Sequence, residues 1–152
     1  MATDWPTADA DAAGGMALIV LSGAFERVHY ALVLASAAAA IGRPVILFFT
    51  LEATRALVRP ASGDAPAGWA RLAAADGSGG EADAAYRRRG VAGFEELLAA
   101  CVDLGVRVIV CEMGLRALDL SAADLRDDVP CEVAGVVTLL AAQPPGGAIL
   151  AI

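Results

Sequence analysis

The sequence has few of the residues that bind metals or form disulfides. Its 152 residues include three widely spaced cysteines, Cys101, Cys111 and Cys131, and one histidine, His29. No Cys-x-x-Cys motif occurs, whereas a structural zinc site needs four well-placed ligands. The sequence therefore predicts no metal site, and a functional cysteine would act as a free thiol.

The sequence also lacks a long uninterrupted apolar run, and it has little positive charge. The longest apolar stretch, residues 28–51, is broken by Gly42, Arg43 and Pro44. The part before this break is shorter than the roughly 20 residues of a membrane helix. The net charge of −7 argues against nucleic-acid binding, and the only dense basic cluster is Arg87–Arg89. We expect no membrane span and no nucleic-acid partner.

Targeting and nucleotide-binding signatures are missing as well. Residues 1–15 contain three aspartates but no basic residue and no apolar run, so they do not resemble a secretory signal. We expect a disordered acidic tail on a cytoplasmic protein. Neither G-x-G-x-x-G nor G-x-x-x-x-G-K-[ST] occurs. The sequence thus predicts no nucleotide cofactor and indicates no other.

Short apolar runs alternate with helical patterns along residues 16–152, which we expect to form a single domain. Apolar runs without alternation predict strands buried on both faces, as in a parallel sheet covered by helices. The one interruption is residues 59–90, predicted to be a flexible loop. The predicted fold is a three-layer α/β/α domain with a mostly parallel, flavodoxin-like five-stranded sheet. The predicted strands are 16–21, 45–49, 106–110, 129–133 and 148–152, and the predicted helices are 25–41, 51–58, 91–104, 113–118 and 134–142.

Candidate site residues follow the predicted strands. Ligands of open α/β sheets bind beyond the carboxyl ends of the strands. In a flavodoxin-like order the first and third strands are neighbours, so the end of the third strand would face the turn after the first. The residues at the three strand ends are Ser22 and Gly23, then Thr50, then Cys111, Glu112 and Met113.

Cys111 is the most reactive candidate among these residues. A thiol at the start of a helix meets free backbone N–H groups that favour the thiolate, which is the nucleophilic form. The alternative is that Cys111 is a small buried hydrophobic residue, as most free cysteines are. For Cys101 and Cys131, a structural role in core packing fits their positions better than a functional role. His29 lies one turn into the first predicted helix, either at the ligand-binding rim or as an ordinary surface histidine.

Four segments resemble the DsrE/DsrF-like family. They are SGAFERVHYAL at 22–32, VILFFT at 45–50, FEELL at 94–98 and VRVIVCEM at 106–113. The resemblance implies a three-layer α/β/α fold, trimers or hexamers, and a role in sulfur relay. It also implies that Cys111 carries sulfur as a persulfide and exchanges it with sulfur donor and acceptor proteins.

Three functions remain open from the sequence. The first is an intracellular sulfur carrier or sulfurtransferase that uses Cys111. The second is a non-catalytic oligomeric module that binds a small molecule or a protein at the same rim. The third is a thiol redox protein, which needs a resolving cysteine with its α-carbon within about 7 Å of that of Cys111.

Overall fold

A computed structural model describes residues 14–143 and 146–152 of the chain. Five strands form one sheet in the order β4-β3-β2-β1-β5, and every neighbouring pair is parallel. The expected α/β fold with a five-stranded parallel sheet is therefore confirmed. The strands are β1 Met16–Val20, β2 Val45–Phe49, β3 Arg107–Cys111, β4 Cys131–Ala134 and β5 Ala148–Ala151; the α-helices are α1 Phe25–Ala40, α2 Gly79–Arg88, α3 Phe94–Asp103, α4 Glu112–Ala117 and α5 Val136–Ala142.

The two faces of the sheet are covered unequally. A large core cluster joins one face to α1 and α3, with the buried side chains of Phe25, Leu32 and Leu98 among its members. A small cluster on the other face contains Phe48 and Cys111, with Leu139 of α5. Since α5 has only seven residues, it covers little of its face.

The strand order differs from the flavodoxin-like order expected from the sequence. The chain steps in one direction from β1 to β2, β3 and β4, and only β5 joins the other side of β1. A flavodoxin-like order would instead place β2 and β3 on opposite sides of β1. Because β2 lies between β1 and β3, Cys111 does not lie beside the turn of Ser22 and Gly23, and that expectation was wrong.

The segment expected to be a loop, residues 59–90, contains regular structure. Gly68–Arg71 form a 3₁₀ helix and Gly79–Arg88 form α2. The Glu81 amide donates to the Ser78 hydroxyl, and the Ser78 amide donates to the Glu81 carboxylate at 2.7 Å. This reciprocal capping box starts the helix despite two glycines in its first turn. The expectation of a loop was wrong here because the Ser-x-x-Glu capping box starts a helix where the glycines alone disfavour one.

Side-chain contacts tie the same segment to the core. The Trp69 ring stacks on Phe94 with ring centroids 4.8 Å apart, and the buried Asp83 carboxylate accepts the Phe94 amide at 2.6 Å. The connection formed by residues 59–90 is thus anchored to the start of α3.

Two further expectations concern the chain ends and membranes. The tail expected over residues 1–15 lies outside the described residues, except for Gly14 and Gly15. Within the part of the chain that the structure describes, no helix has the length and apolar character needed to cross a bilayer.

Candidate functional site

Cys111 is the last residue of β3 and the residue before α4. It pairs with Ala134 of β4, and its backbone is still extended at φ −69° and ψ 125°. Cys111 is only 4% exposed and packs with Phe48, Ile109 and Leu139 in the small cluster. A buried thiol thus lies at the carboxyl end of a central strand.

The chain leaves β3 and β4 toward opposite faces of the sheet. Leu115 of α4 joins the large cluster, whereas Leu139 of α5 joins the small one. Neighbouring parallel strands whose connections diverge in this way open a crevice at their carboxyl ends, where α/β proteins bind ligands. Cys111 and Ala134 end the two strands at which the connections diverge.

Thr50 follows β2 at the same edge. Its amide donates to the Val20 carbonyl at 2.9 Å, so the strand geometry continues through this residue. Thr50 is 8% exposed, and its hydroxyl has no hydrogen-bond partner within the described part of the chain. The next residue, Leu51, has a left-handed backbone with φ 48°, a conformation that costs a residue other than glycine free energy.

Ser22 and Gly23 lie on the far side of β2 from Cys111. The Ser22 hydroxyl accepts the Ala24 amide at 3.1 Å, which shapes the turn before α1. A β-carbon at Gly23 would come within 2.9 Å of the Glu52 β-carbon, so this turn packs on the 3₁₀ helix Leu51–Leu57. These contacts account for both residues as parts of a turn.

Glu112 and Met113 occupy the first turn of α4, directly after Cys111. Glu112 approaches Arg116 at 3.9 Å, with both side chains at least half exposed, so this pair contributes little to stability. Met113 is 63% exposed. Its apolar side chain is therefore available to a partner at the edge that carries Cys111.

His29 is buried on α1 rather than exposed at the rim. Its Nε2 lies 2.8 Å from the Ala92 carbonyl oxygen, which can only accept, so Nε2 carries a proton and donates. The imidazole also packs against Tyr86 and Phe25, with ring centroids 5.0 and 5.6 Å away. These contacts join α1 to the connection between α2 and α3.

The other two cysteines lie on the opposite face of the sheet from Cys111. Cys101 and Cys131 pack with the large cluster, and burial raises the pKa of each thiol to about 11. Cys131 pairs with Val108, three residues before Cys111 along β3. At about 3.3 Å per strand residue and about 4.8 Å between strands, the α-carbons of Cys131 and Cys111 are roughly 11 Å apart, beyond disulfide reach. The geometry therefore disfavours an intramolecular resolving thiol.

A network centred on Arg126 was not among the expectations from the sequence. The Arg126 side chain is 13% exposed, and its guanidinium donates to both carboxylate oxygens of Glu95 at 2.8 and 2.9 Å and to both of Asp128 at 2.6 Å. Trp69 Nε1 donates to the same Glu95 carboxylate at 2.6 Å. Arg126 holds the pKa of Asp128 below its ordinary value. Glu95 and Arg126 are 31 residues apart in sequence and Trp69 and Glu95 are 26 apart, so no local pattern predicts these two contacts.

A cleft of about 410 Å³ adjoins this network. Arg59, Pro60 and Asp127 line it together with the charged groups of the network. Among the described residues, no group of three or more histidine, cysteine or acidic side chains is arranged to hold a metal ion.

A family profile and one solved structure support the class of fold. A sequence profile of the DsrE/DsrF-like family matches residues 16–152. The crystal structure of the ychN protein from E. coli superposes with a TM-score of 0.52 at 17% identity, covering 91% of this chain and 99% of that one. MTH1491 from Methanobacterium thermoautotrophicum, described as a protein of unknown function, gives a TM-score of 0.49 at 16% identity, with the same coverage. No curated protein sequence matches this chain.

Proposed function

Because the chain belongs to the DsrE/DsrF-like family, we propose that it is a sulfur carrier in which Cys111 holds sulfane sulfur as a persulfide. The observation that carries the proposal is the position of Cys111 at the carboxyl ends of β3 and β4, where the connections of the two strands diverge. A ligand-binding crevice of an α/β sheet is where a reactive thiol can meet a partner.

The transfer needs no external oxidant or reductant. The Cys111 thiolate attacks the outer sulfur of a donor persulfide, forming one S–S bond as the S–S bond of the donor breaks. The donor leaves as a thiolate, and the proton of the Cys111 thiol goes to solvent or to that thiolate. Attack by an acceptor thiolate on the outer sulfur of the Cys111 persulfide repeats the exchange and regenerates Cys111.

Intact-mass spectrometry after incubation with a persulfidated donor tests the function. We expect a mass gain of one sulfur atom that a reducing thiol removes and that Cys111→Ser abolishes. Cys131→Ser is the control, because that thiol is partly exposed but has a raised pKa of about 11. Equal loading of the wild type and Cys111→Ser would refute a carrier role for Cys111.

The burial of Cys111 favours a second candidate, a non-catalytic binding module. A thiol that is 4% exposed reaches a bulky donor poorly, and the cleft beside Arg126 offers polar and apolar lining to a ligand. This alternative predicts no persulfide and slow alkylation of Cys111 in the folded protein. The mass measurement therefore separates the two functions.

We further propose that the chain forms a homo-oligomer, a trimer or hexamer, through the α5 face of the sheet. Val137 is 76% exposed and Leu140 is 57% exposed on α5, and Ile149 of β5, in register with Ala17 of the small cluster, is 43% exposed on the same face. Adjacent exposed apolar side chains of this kind mark interaction surfaces. A second copy of the chain presents the same apolar surface and is the occupant we propose.

Three free thiols also fit a reducing compartment, so we place the carrier in the cytoplasm. Detection of the chain only in an exported fraction of its cells would contradict this location.

A further inference from the structure

Thr50 and Cys111 end neighbouring strands in one row of the sheet. Phe48 pairs with Ile109 and Phe49 with Val110, and both chains stay extended for one more residue. Side chains alternate between the faces of a sheet, and Phe48 and Ile109 belong to the small cluster. Thr50 and Cys111 therefore follow them onto this face as lateral neighbours, about 4.8 Å apart between strands.

The Thr50 hydroxyl is confined at this edge without a partner. Threonine 50 is 92% buried, and a β-carbon at Gly114 of α4 would lie 3.1 Å from its Oγ1. The oxygen makes no hydrogen bond within the described residues, the Cys111 thiol included. Buried polar groups are nearly always paired, and an unpaired one is destabilising. The hydroxyl is thus an unused donor beside the first turn that follows Cys111.

A persulfide on Cys111 changes what the hydroxyl can reach. The second sulfur lies one S–S bond, about 2.05 Å, beyond Sγ. It also carries the negative charge of the ionised persulfide, and hydrogen bonds to charged acceptors are stronger than those between neutral groups. Without the outer sulfur, the hydroxyl has no acceptor atom at that position and no persulfide charge to bind.

Resting on the proposed carrier function, we propose that the Thr50 hydroxyl donates a hydrogen bond to the outer sulfur of the Cys111 persulfide. The donor stabilises the loaded form and leaves the empty thiol unaffected. In the empty protein the buried hydroxyl is unpaired, which is unfavourable. Sulfur uptake gives it a partner, and this gain favours the loaded form.

The test is the equilibrium of sulfur exchange with glutathione persulfide, read by intact-mass spectrometry. Thr50→Val keeps the shape of the side chain and removes the hydroxyl, and we expect it to lower the exchange equilibrium constant about tenfold. Thr50→Ser keeps the donor and should load like the wild type. Thr54→Val is the matched control, because Thr54 also has a buried unpaired hydroxyl but lies among large-cluster residues of the Leu51–Leu57 helix.

Alkylation of the empty thiol and thermal unfolding complete the test. Thr50→Val should alkylate at the wild-type rate and should unfold at no lower temperature, because it removes an unpaired polar group. Equal loading of Thr50→Val and the wild type would overturn the inference while leaving the carrier function standing. A parallel change in alkylation would also overturn it, since the role would be structural. A wild type that takes up no sulfur would refute the carrier function and this inference together.

Discussion

Gly114 of α4 lies directly against Thr50 at the end of β2. A β-carbon at position 114 would come within 3.1 Å of the Thr50 α-carbon and within 2.7 Å of the Leu51 amide nitrogen. Only a glycine allows the helix that follows Cys111 to rest on the carboxyl end of the neighbouring strand. The absence of a side chain at Gly114 thus shapes the edge of the sheet that carries the candidate site.

Gly114→Ala should therefore destabilise the protein. The new methyl group meets backbone atoms that cannot move aside, and overpacking of this kind costs about 1–3 kcal/mol. The gain in helix propensity, roughly 1 kcal/mol, offsets only part of that cost. Urea unfolding measures the difference. Gly63→Ala is the control, because a β-carbon at Gly63 meets nothing within 4 Å; equal stabilities of the two variants would contradict the packing argument.

Replacement of Arg126 should be costly, unlike replacement of an exposed arginine. Arg126→Met removes a nearly buried guanidinium that pairs with Glu95 and Asp128, but both carboxylates are more than half exposed and stay hydrated, so we expect a loss of about 1–2 kcal/mol in unfolding free energy. Arg55→Met removes an ion pair with Glu52 in which both side chains are at least 50% exposed, and should cost under about 1 kcal/mol. Denaturant melts of both variants decide the point, and similar losses would show that the network contributes no more than a surface pair.

The stability of the protein should fall at alkaline pH because of its buried thiols. Burial raises the pKa of Cys101 from the ordinary 9.0 to about 11. The thiol therefore ionises at lower pH in the unfolded chain than in the folded chain. The stability that the neutral, buried thiol adds to the folded state is complete below pH 9 and is lost as pH rises toward 11. We expect this thiol to account for about 1–3 kcal/mol of that loss.

Cys101→Ala removes that ionisation. Urea unfolding at about pH 8 and about pH 10.5 gives, for each protein, the fall in unfolding free energy between the two pH values. This fall should be smaller for the variant than for the wild type. The cavity cost of the variant cancels, because it is present at both pH values. An identical fall in both proteins would exclude Cys101 as the source.

The proposed oligomer depends on the exposed side chains of α5. Val137→Glu places a charge in the middle of the apolar face and should convert the assembly to monomers, since burial of an unpaired charge is strongly unfavourable. Val91→Glu is the control, because Val91 is 45% exposed just before α3, away from that face. Size-exclusion chromatography with light scattering measures the mass. A monomeric wild type, or a Val137→Glu variant of unchanged mass, would contradict the proposed interface.

Local sequence patterns identified most of the elements because buried strands and capped helices leave short-range signals. The all-apolar run at 45–49 is β2, and every residue of it is buried. Gly42 ends α1 with a positive φ of 83°, as a glycine after a helix commonly does. The Ser78 and Glu81 capping box is also a local signal, and it marks the start of α2. The glycines and alanines around it are typical of a loop and led to the wrong expectation there.

Residues close together in the chain specify most of the elements, the parallel sheet and the position of Cys111 at a strand end, although the 3₁₀ helix Gly68–Arg71 and α2 were expected to be a loop. The strand order follows from long-range packing, which makes Thr50 rather than the Ser22 turn the neighbour of Cys111. The tertiary structure also decided the Arg126 network and the separation of Cys111 from the other two thiols. Strand order depends on which face and which edge of the sheet each crossover helix packs against. That choice depends on the combined packing of many residues on each face. No local pattern of residues records the result of that choice.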